Sequence, residues 1–446
     1  MESLRGDEVA GRGSDPRVVA RSRELDGVDR DRLLAEAEGP TVAWRGPEET
    51  VEAAGATATL TADGPDRFAA VRAQAEALFD SLSSAVPHRA RPRLFGGFAF
   101  HDGRPEDDDV WTGFADAWFV LPRVQVTTAG DRAWLTTTGS GPNAEQAADR
   151  TLEEWTERLQ STSARTQPTP PGVLDRERTP SKEAWNEQVR DAIDEIEAGR
   201  LRKVVLAQSL SVELAQSLSV PDALARLDET YPDCYRFAFT PPEADAGTFF
   251  GATPERLVSL RGRTVETEAL AGSTGRGDTP AEDEWLAEEL LDSEKDIHEH
   301  QLVVEAVREQ LDPVAASVST GERAIRRLAT VQHLRTPIRA TLSADEHVLS
   351  LVEALHPTPA VGGLPPDAAL ETIRRTEAFD RGWYAAPVGW MDAAGNGTFT
   401  VAIRSALARQ RRAWLFAGAG IVADSDPDRE WDEVQLKYRP MLDELE

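Results

Sequence analysis

Cysteine and long apolar runs are almost missing from this sequence of 446 residues. Cys234 is the only cysteine, so disulfides cannot provide a scaffold within one chain. A run of about 18 apolar residues, which a membrane-spanning helix needs, does not occur. Residues 1–7 also lack the basic and then apolar pattern of a secretory signal. We therefore expect a cytoplasmic protein that has no membrane partner.

Basic residues are scarce compared with acidic ones. Lysine and arginine together number 49, against 78 aspartates and glutamates, which gives a formal charge of −29. Nucleic-acid binding requires clustered Lys and Arg, so this balance argues against a nucleic-acid partner. The acids are spread along the whole chain, which is typical of the solvated acidic surface of halophilic proteins. We interpret this charge as background rather than as a sign of function.

Lysine is the rarest basic residue, and it occurs only as Lys182, Lys203, Lys295 and Lys437. Arginine stays charged and cannot act as a base, whereas burial can lower the pKa of a lysine. A chain that avoids lysine is therefore expected to keep one where arginine cannot do the chemistry. Mutational bias toward arginine, with a few lysines remaining on the surface, explains Lys182 and Lys295 about as well as a chemical role does. It explains Lys203 and Lys437 less well.

Composition divides the chain into three parts. Residues 1–165 alternate short strand-like runs with turns, as at 41–45 and 133–137. Residues 166–180 belong to a stretch rich in Ser, Thr, Pro and Arg and are predicted to be a linker. Residues 181–446 mix helices with strand pairs that no helix separates. This mixture predicts an α+β fold rather than a doubly wound sheet.

The C-terminal part has clear local signals. Val189, Ile193 and Ile196 share one helical face that ends before Gly199, and a strand follows from Lys203. The other elements predicted here are an antiparallel series at 235–239, 248–252, 257–260 and 264–269, one long amphipathic helix at 281–311, and strands at 386–390, 397–405 and 412–417.

Gly418 and Gly420 follow a predicted strand, which resembles the start of a dinucleotide-binding turn. The acidic turn at 424–428 comes next and would repel a pyrophosphate, so this interpretation is rejected. Glu433 and Lys437 then stand four residues apart on one face of a predicted helix. A solvent-exposed ion pair is the commoner explanation of that spacing. The nearby glycines favour a site for a small anionic ligand.

Residues 293–300 combine three acids with two of the seven histidines. Neighbouring helical residues point apart, and no His pair has the four-residue spacing of a helical zinc site. Carboxylates from two separate helices suit Mg²⁺, which prefers hard oxygen ligands. Glu299 and Glu433 are therefore the candidate metal ligands. Glu255, just before a predicted strand, would be an ordinary loop acid if considered alone.

Nine motifs, in order across residues 180–446, together resemble the chorismate-utilising enzymes, most closely their isochorismate-forming branch. They are Lys203-Val-Val-Leu-Ala, Phe250-Gly-Ala-Thr-Pro-Glu-Arg-Leu, Glu268-Ala-Leu-Ala-Gly-Ser, Ser293-Glu-Lys-Asp-Ile-His-Glu-His, Val331-Gln-His-Leu, Leu355-His-Pro-Thr-Pro-Ala, Gly382-Trp-Tyr, Ile403-Arg-Ser and Phe416-Ala-Gly-Ala-Gly-Ile-Val. The resemblance implies two large antiparallel sheets packed together with helices outside. The parts on either side of the linker would then belong to one body.

The resemblance also implies roles. Lys203 would be the base that activates water for attack at C2 of chorismate, and Glu255 the acid that protonates the departing C4 hydroxyl. Glu299 and Glu433 would bind Mg²⁺. The substrate-binding positions implied are Arg404, Lys437 and the amide of Gly418 for carboxylates, His333 and Tyr384 beside the ring, and the segment Ala271, Gly272 and Ser273.

Two residues, Lys203 and Ala271, separate branches of the family. Anthranilate synthases use ammonia and typically carry glutamine at the position of Lys203, so neither ammonia nor a glutaminase subunit is expected. Aminodeoxychorismate synthases carry a nucleophilic lysine where this chain has Ala271. A salicylate synthase remains an alternative, because that branch shares the lysine, the acids and the metal site. Ser273, where threonine is common in the family, does not distinguish the two branches. A binding homologue without activity would have lost one of the four central residues. The pathway is open between menaquinone and a siderophore, and general metabolic expectation favours menaquinone. A monomer is the general expectation for this class of enzyme.

Overall fold

The computed structural model describes residues 18–446 except 27, 29, 30, 38, 104–109, 161–168 and 244. The strands in this part of the chain are β1 (Val18–Leu25), β2 (Thr41–Arg45), β3 (Thr50–Ala62), β4 (Leu82–Ser84), β5 (Arg93–Phe98), β6 (Ala117–Ala129), β7 (Arg132–Ser140), β8 (Val173–Thr179), β9 (Lys203–Leu214), β10 (Tyr235–Thr240), β11 (Thr248–Thr253), β12 (Arg256–Arg261), β13 (Thr264–Gly275), β14 (Ala315–Thr320), β15 (Ala324–Arg327), β16 (Val331–Leu342), β17 (Gly363–Leu364), β18 (Pro387–Asp392), β19 (Gly397–Val401), β20 (Ser405–Arg409) and β21 (Arg412–Ile421).

The helices are α1 (Asp31–Glu36), α2 (Arg67–Asp80), α3 (Ala144–Gln160), α4 (Lys182–Glu197), α5 (Val220–Thr230), α6 (Pro280–Asp292), α7 (Glu294–Leu311), α8 (Val348–Leu355), α9 (Pro366–Thr376) and α10 (Pro427–Leu442), with a short 3₁₀ turn at His88–Ala90. Among the described residues, no helix has the length and apolar character that crossing a membrane requires.

Most of the strands form two antiparallel arms, which meet where β3 of one arm pairs with β6 of the other. One arm runs β8, β9, β21, β20, β11, β10, β2 and β3. The other runs β16, β13, β12, β19, β18, β5 and β6. β3 and β6 pair with each other along their length, and a bulge between Ala56 and Ala58 interrupts their register. Such a bulge bends a strand, which lets β3 pair with β2 of its own arm and with β6 of the other. The α+β prediction is confirmed.

Aromatic side chains fill the space between the arms. Trp383 approaches Phe239 and Phe249 of the first arm, with ring centroids 6.0 and 6.4 Å away. A Cβ on Gly97 of β5 would lie 2.9 Å from the Trp383 ring, and one on Gly96 would lie 1.9 Å from the Trp118 carbonyl oxygen. The backbone is therefore closely packed at these adjacent glycines, because no side chain larger than hydrogen fits there.

Several element predictions need correction. The single helix predicted at 281–311 is two helices, because Ser293 leaves the helical conformation and its hydroxyl caps the amide of Asp296 at the start of α7. The strand predicted at 397–405 is β19 and β20, separated where Arg404 takes a φ of 51°. The antiparallel series breaks between β11 and β12, which pair with β20 and β19 instead.

The predicted linker at 166–180 is wrong over residues 173–179, which form β8. This strand pairs antiparallel with β9, and Arg178 lies 4.5 Å from the ring centroid of Trp431 on α10. The polar composition belongs to an outer strand in which four consecutive residues, 174–177, are exposed. Residues 161–168, at the start of the stretch, lie outside the described residues. The pairings β2–β10 and β5–β18 join the parts before and after it.

Candidate active site

A cavity of about 940 Å³, including its open mouth, lies beside the first residues of β9 and the last residues of β21. Helices α7 and α10 form its margin. All twelve residues that the sequence analysis singled out line it. They are Lys203, Glu255, Ala271, Gly272, Ser273, Glu299, His333, Tyr384, Arg404, Gly418, Glu433 and Lys437. These positions span more than half of the chain, so the fold and not local sequence brings them together.

Lys203 occupies one wall of the cavity as the first residue of β9, and its side chain is 1% exposed. Its Nζ lies 2.8 Å from Oε1 of Glu299, which α7 contributes. A Cβ on Gly420 would lie 2.9 Å from Cε of Lys203 and 3.0 Å from Oε1 of Glu299. The glycine on β21 therefore leaves room for this ion pair. Burial opposes ionisation of Glu299, but Lys203 overcomes it and lowers the pKa of the carboxyl.

Glu255 lies in the short connection between β11 and β12 and is 6% exposed. Its amide donates to the hydroxyl of Thr253, and its carbonyl accepts from the amide of Val401, so the backbone is held at both ends. Burial, and then the charge of Glu268, raise the pKa of Glu255 to about 7. A carboxyl with this pKa keeps a proton near neutral pH and can act as a general acid.

Four carboxylates lie along the margin formed by α7 and α10. Asp296 and Glu299 come from α7, and Glu430 and Glu433 come from α10. Burial, with the nearby Glu299 charge, raises the pKa of Asp296. Burial and the charge of Glu433 raise the pKa of Glu430 to about 7. This concentration of negative charge is costly unless cations offset it.

Lysines offset part of that charge. Lys437 lies 2.7 Å from Glu433, and Lys295 lies 3.7 Å from Glu430. In the part of the chain described, no three His, Cys, Asp or Glu side chains form a ready-made metal cluster. Mg²⁺ typically uses one or two protein carboxylates and completes its shell with water and substrate oxygens. The carboxylates of Glu299 and Glu433 fit that kind of site.

Lys437 also organises the end of β21. Its Nζ donates to the carbonyl oxygen of Gly418 at 2.9 Å. Gly418 pairs with Ala207 of β9, whose amide donates instead to Glu377. The peptide groups of Gly418 therefore point away from β9, toward the side where β20 no longer pairs. This leaves the Gly418 amide directed as a carboxylate-binding position requires.

Arg404 reaches the cavity from the break between β19 and β20 and is buried. Its Nη2 contacts Nε2 of His333 at 2.7 Å, and Nδ1 of His333 lies 2.9 Å from the hydroxyl of Ser273. The second terminal nitrogen of the guanidinium, Nη1, is buried and has no hydrogen-bond partner among the described residues. A buried donor without a partner is costly, which favours an anionic ligand there.

Tyr384 and the segment at 271–273 form apolar and small surfaces of the cavity. The ring of Tyr384 stacks on Phe416 with centroids 5.5 Å apart, and burial raises the pKa of its hydroxyl. A bulge between Ala271 and Ser273 interrupts the pairing of β13 with β16. Gly272 has a φ of 73° there, a conformation in which glycine avoids strain.

The sequence analysis missed several lining residues. The polar ones are Lys295, Asp296 and Glu430, and the apolar ones include Val205, Leu270, Ile403 and Phe416. Glu430 precedes Glu433 by three residues, so helical spacing already placed the two carboxylates on one face. The apolar residues carried no such signal, because they resemble any other buried strand residue.

Known proteins share this architecture. Residues 7–446 match the family described as chorismate binding enzyme. The Salicylate biosynthesis isochorismate synthase of Pseudomonas aeruginosa is 39% identical over 437 residues, which cover 96% of this chain and 90% of that protein. The Isochorismate synthase MenF of Bacillus subtilis is 35% identical over 366 residues, covering 79% and 74%. The structure of MenF, the menaquinone-specific isochorismate synthase from Escherichia coli, has a TM-score of 0.81 at 26% identity, covering 98% and 97%.

Proposed function

Because this chain belongs to the family of chorismate-binding enzymes, we propose that it is a magnesium-dependent isochorismate synthase. The reaction adds water at C2 of chorismate and removes the hydroxyl from C4. The observation that carries this proposal is the presence of a buried lysine, Lys203, and a buried carboxyl, Glu255, whose pKa is raised to about 7, in one cavity. Water is a poor nucleophile and hydroxide a poor leaving group, so a base and an acid must act together.

Lys203 is the proposed base. Its contact with Glu299 is that of an ion pair, so it takes a proton from water only after it has lost its own. Glu255 is the proposed acid and delivers its proton to the C4 hydroxyl as the C–O bond breaks. Lys203 lies at the start of β9 and Glu255 in the connection between β11 and β12, and these separate origins allow them to work on different parts of one ring.

The remaining polar groups handle the charge of a substrate with two carboxylates. Arg404, Lys437 and the amide of Gly418 would bind carboxylate oxygens, and the unpartnered Nη1 of Arg404 supports this assignment. Glu299 and Glu433 would hold Mg²⁺, which neutralises the ring carboxylate when bound. His333, Tyr384 and the Ala271–Gly272–Ser273 segment would line the ring. Ala271 offers no amine, so a covalent intermediate at this position is not formed.

The direct test is product analysis of the purified protein with chorismate and Mg²⁺. We expect isochorismate to accumulate without pyruvate and without any requirement for ammonia. Salicylate appearing together with pyruvate would contradict the proposal in favour of a salicylate synthase. Turnover that depends on added ammonia would assign the chain to the anthranilate-forming branch. Binding of chorismate without any turnover would indicate a binding homologue.

For the pathway, we propose menaquinone biosynthesis, which the Escherichia coli relative's name supports. The Pseudomonas aeruginosa relative supports salicylate formation through isochorismate as the alternative. Deleting the gene and measuring menaquinone and salicylate separates the two. Loss of menaquinone with unchanged salicylate is expected, and the reverse result would contradict this assignment.

A further inference from the structure

Arg404, His333 and Ser273 form a line of hydrogen-bonding groups along one side of the cavity. Arg404 comes from the break between β19 and β20, His333 from β16, and Ser273 from the bulged part of β13. The two contacts measure 2.7 Å from Arg404 Nη2 to His333 Nε2 and 2.9 Å from His333 Nδ1 to Ser273 Oγ. All three residues also line the cavity.

The first contact fixes the protonation state of His333. A guanidinium carries only N–H donors and stays charged in proteins, so Arg404 donates. Nε2 of His333 must therefore be the acceptor and cannot carry a hydrogen. A doubly protonated imidazolium is excluded for the same reason. The imidazole is neutral, and its single hydrogen lies on Nδ1.

The second contact then runs in one direction. Nδ1–H donates, and Oγ of Ser273 accepts, with the backbone carbonyl of Gly272 as a second acceptor beside it. The hydroxyl hydrogen of Ser273 cannot point at His333, because Nδ1 has no free lone pair in this tautomer. Within the described residues, Ser273 Oγ has no other hydrogen-bond partner. Its hydrogen is free to point into the cavity.

The surroundings of His333 favour the neutral form. Burial and the charge of Arg404 lower the pKa of His333 well below its usual range. Lys437 on α10 and Arg326 on β15 add to this effect, and the backbone at Gly272 opposes it. His333 is 7% exposed, so water does not screen these charges well.

We propose that His333 is a positioning residue, locked as the neutral Nδ1–H tautomer between Arg404 and Ser273, and that it makes the Ser273 hydroxyl a donor to a substrate carboxylate. The inference rests on the proposed function for the identity of that ligand. Arg404 and Ser273 would then present one donor each, the free Nη1–H and the hydroxyl. Neither role requires His333 to exchange a proton with the substrate.

The tautomer can be measured without any turnover. ¹⁵N NMR of protein labelled at histidine, with His333 assigned by its absence in a His333→Gln variant, reports which ring nitrogen carries hydrogen. We expect a neutral ring protonated at Nδ1, unchanged between about pH 5.5 and about pH 9, although an ordinary histidine titrates near pH 6.5. Hydrogen on Nε2, or titration within this range, would overturn the proposal whatever product the enzyme makes.

The donor role of Ser273 is tested by kinetics with chorismate. Ser273→Ala should raise KM by roughly ten- to a hundredfold, the size of a lost hydrogen bond to a charged group, while kcat changes by less than about threefold. Ser273→Thr keeps the hydroxyl and should restore KM to within about threefold. A KM that stays low in Ser273→Ala, or that rises equally in Ser273→Thr, would overturn the donor role.

A double-mutant cycle tests whether His333 acts through Ser273. His333→Leu removes both the acceptor for Arg404 and the donor that Nδ1 supplies, so it should raise KM in the wild-type background. The same change should have an effect at least about threefold smaller when Ser273 is already alanine. Fully additive effects would show that the two residues act independently and would overturn the positioning role.

Discussion

At Gly420 the missing side chain makes room for the ion pair of Lys203 and Glu299, so Gly420→Ala perturbs the pair without touching its charges. The added Cβ would lie 2.9 Å from Cε of Lys203 and 3.0 Å from Oε1 of Glu299, whereas ordinary contacts begin at 3.4 Å. Both side chains must therefore move by about half an ångström. The backbone itself tolerates alanine, because Gly420 is absent from the glycines with positive φ.

The size of the effect follows from this displacement. With an effective dielectric constant of about 20, lengthening the 2.8 Å contact by about 0.5 Å weakens the attraction by about 1 kcal/mol. Because the ion pair favours the charged lysine, this loss on its own eases deprotonation of Lys203 by up to about fivefold. A misplacement of the base by about 1 Å costs up to about a hundredfold in well-oriented reactions, so half of it costs about tenfold. The misplacement outweighs the easier deprotonation, and we expect kcat to fall by about two- to tenfold.

Steady-state kinetics with chorismate and Mg²⁺, together with thermal unfolding, check this prediction. Gly275→Ala is the matched control, because a Cβ there meets nothing within 4 Å and Gly275 does not line the cavity. The control should keep kcat and Tm, and Gly420→Ala should keep Tm to within about 3 °C. Unchanged kcat in Gly420→Ala would refute the idea that this spacing matters. A large loss of Tm would attribute the effect to folding instead.

Three further predictions concern the proposed chemistry. Lys203→Ala should abolish turnover yet leave equilibrium binding of chorismate largely intact; retained turnover would refute its role as base. The pKa of Glu255 is raised to about 7, so activity that needs its protonated form should decline as the pH rises through about 7. Glu255→Gln should remove turnover across the pH range. A rate that stays constant up to about pH 9 would contradict the acid role. EDTA should abolish activity, and added Mg²⁺ should restore it. Glu433→Gln should raise the Mg²⁺ concentration that activity requires. Activity that persists in EDTA would contradict a role for the metal in the mechanism.

The chemical identity of the site could be predicted from residue types. Lys203 stood out because lysine is rare in a chain rich in arginine, and Glu433 with Lys437 stood out by helical spacing. Strand boundaries such as β2 also followed from alternation and turns. These signals are local, and local patterns reflect propensity and spacing along the chain.

The errors have local causes that the pattern could not reveal. An apolar periodicity continued across Ser293, so one helix was predicted where a cap starts a second one. The strand at 397–405 looked continuous because a positive φ at Arg404 leaves no mark in the sequence. The linker composition concealed β8, whose strand pairing among the described residues is with β9.

The sequence by itself determined which residue types are available for catalysis and most of the elements that carry them. Only the tertiary structure decided that they share a cavity, that the pKa of Glu255 is raised to about 7 and that Arg404 donates to His333. These properties depend on burial and on charges contributed by strands and helices distant in the chain. A pKa, a hydrogen-bond direction and a gap left by a glycine are set by neighbours in space, which no spacing along the chain encodes.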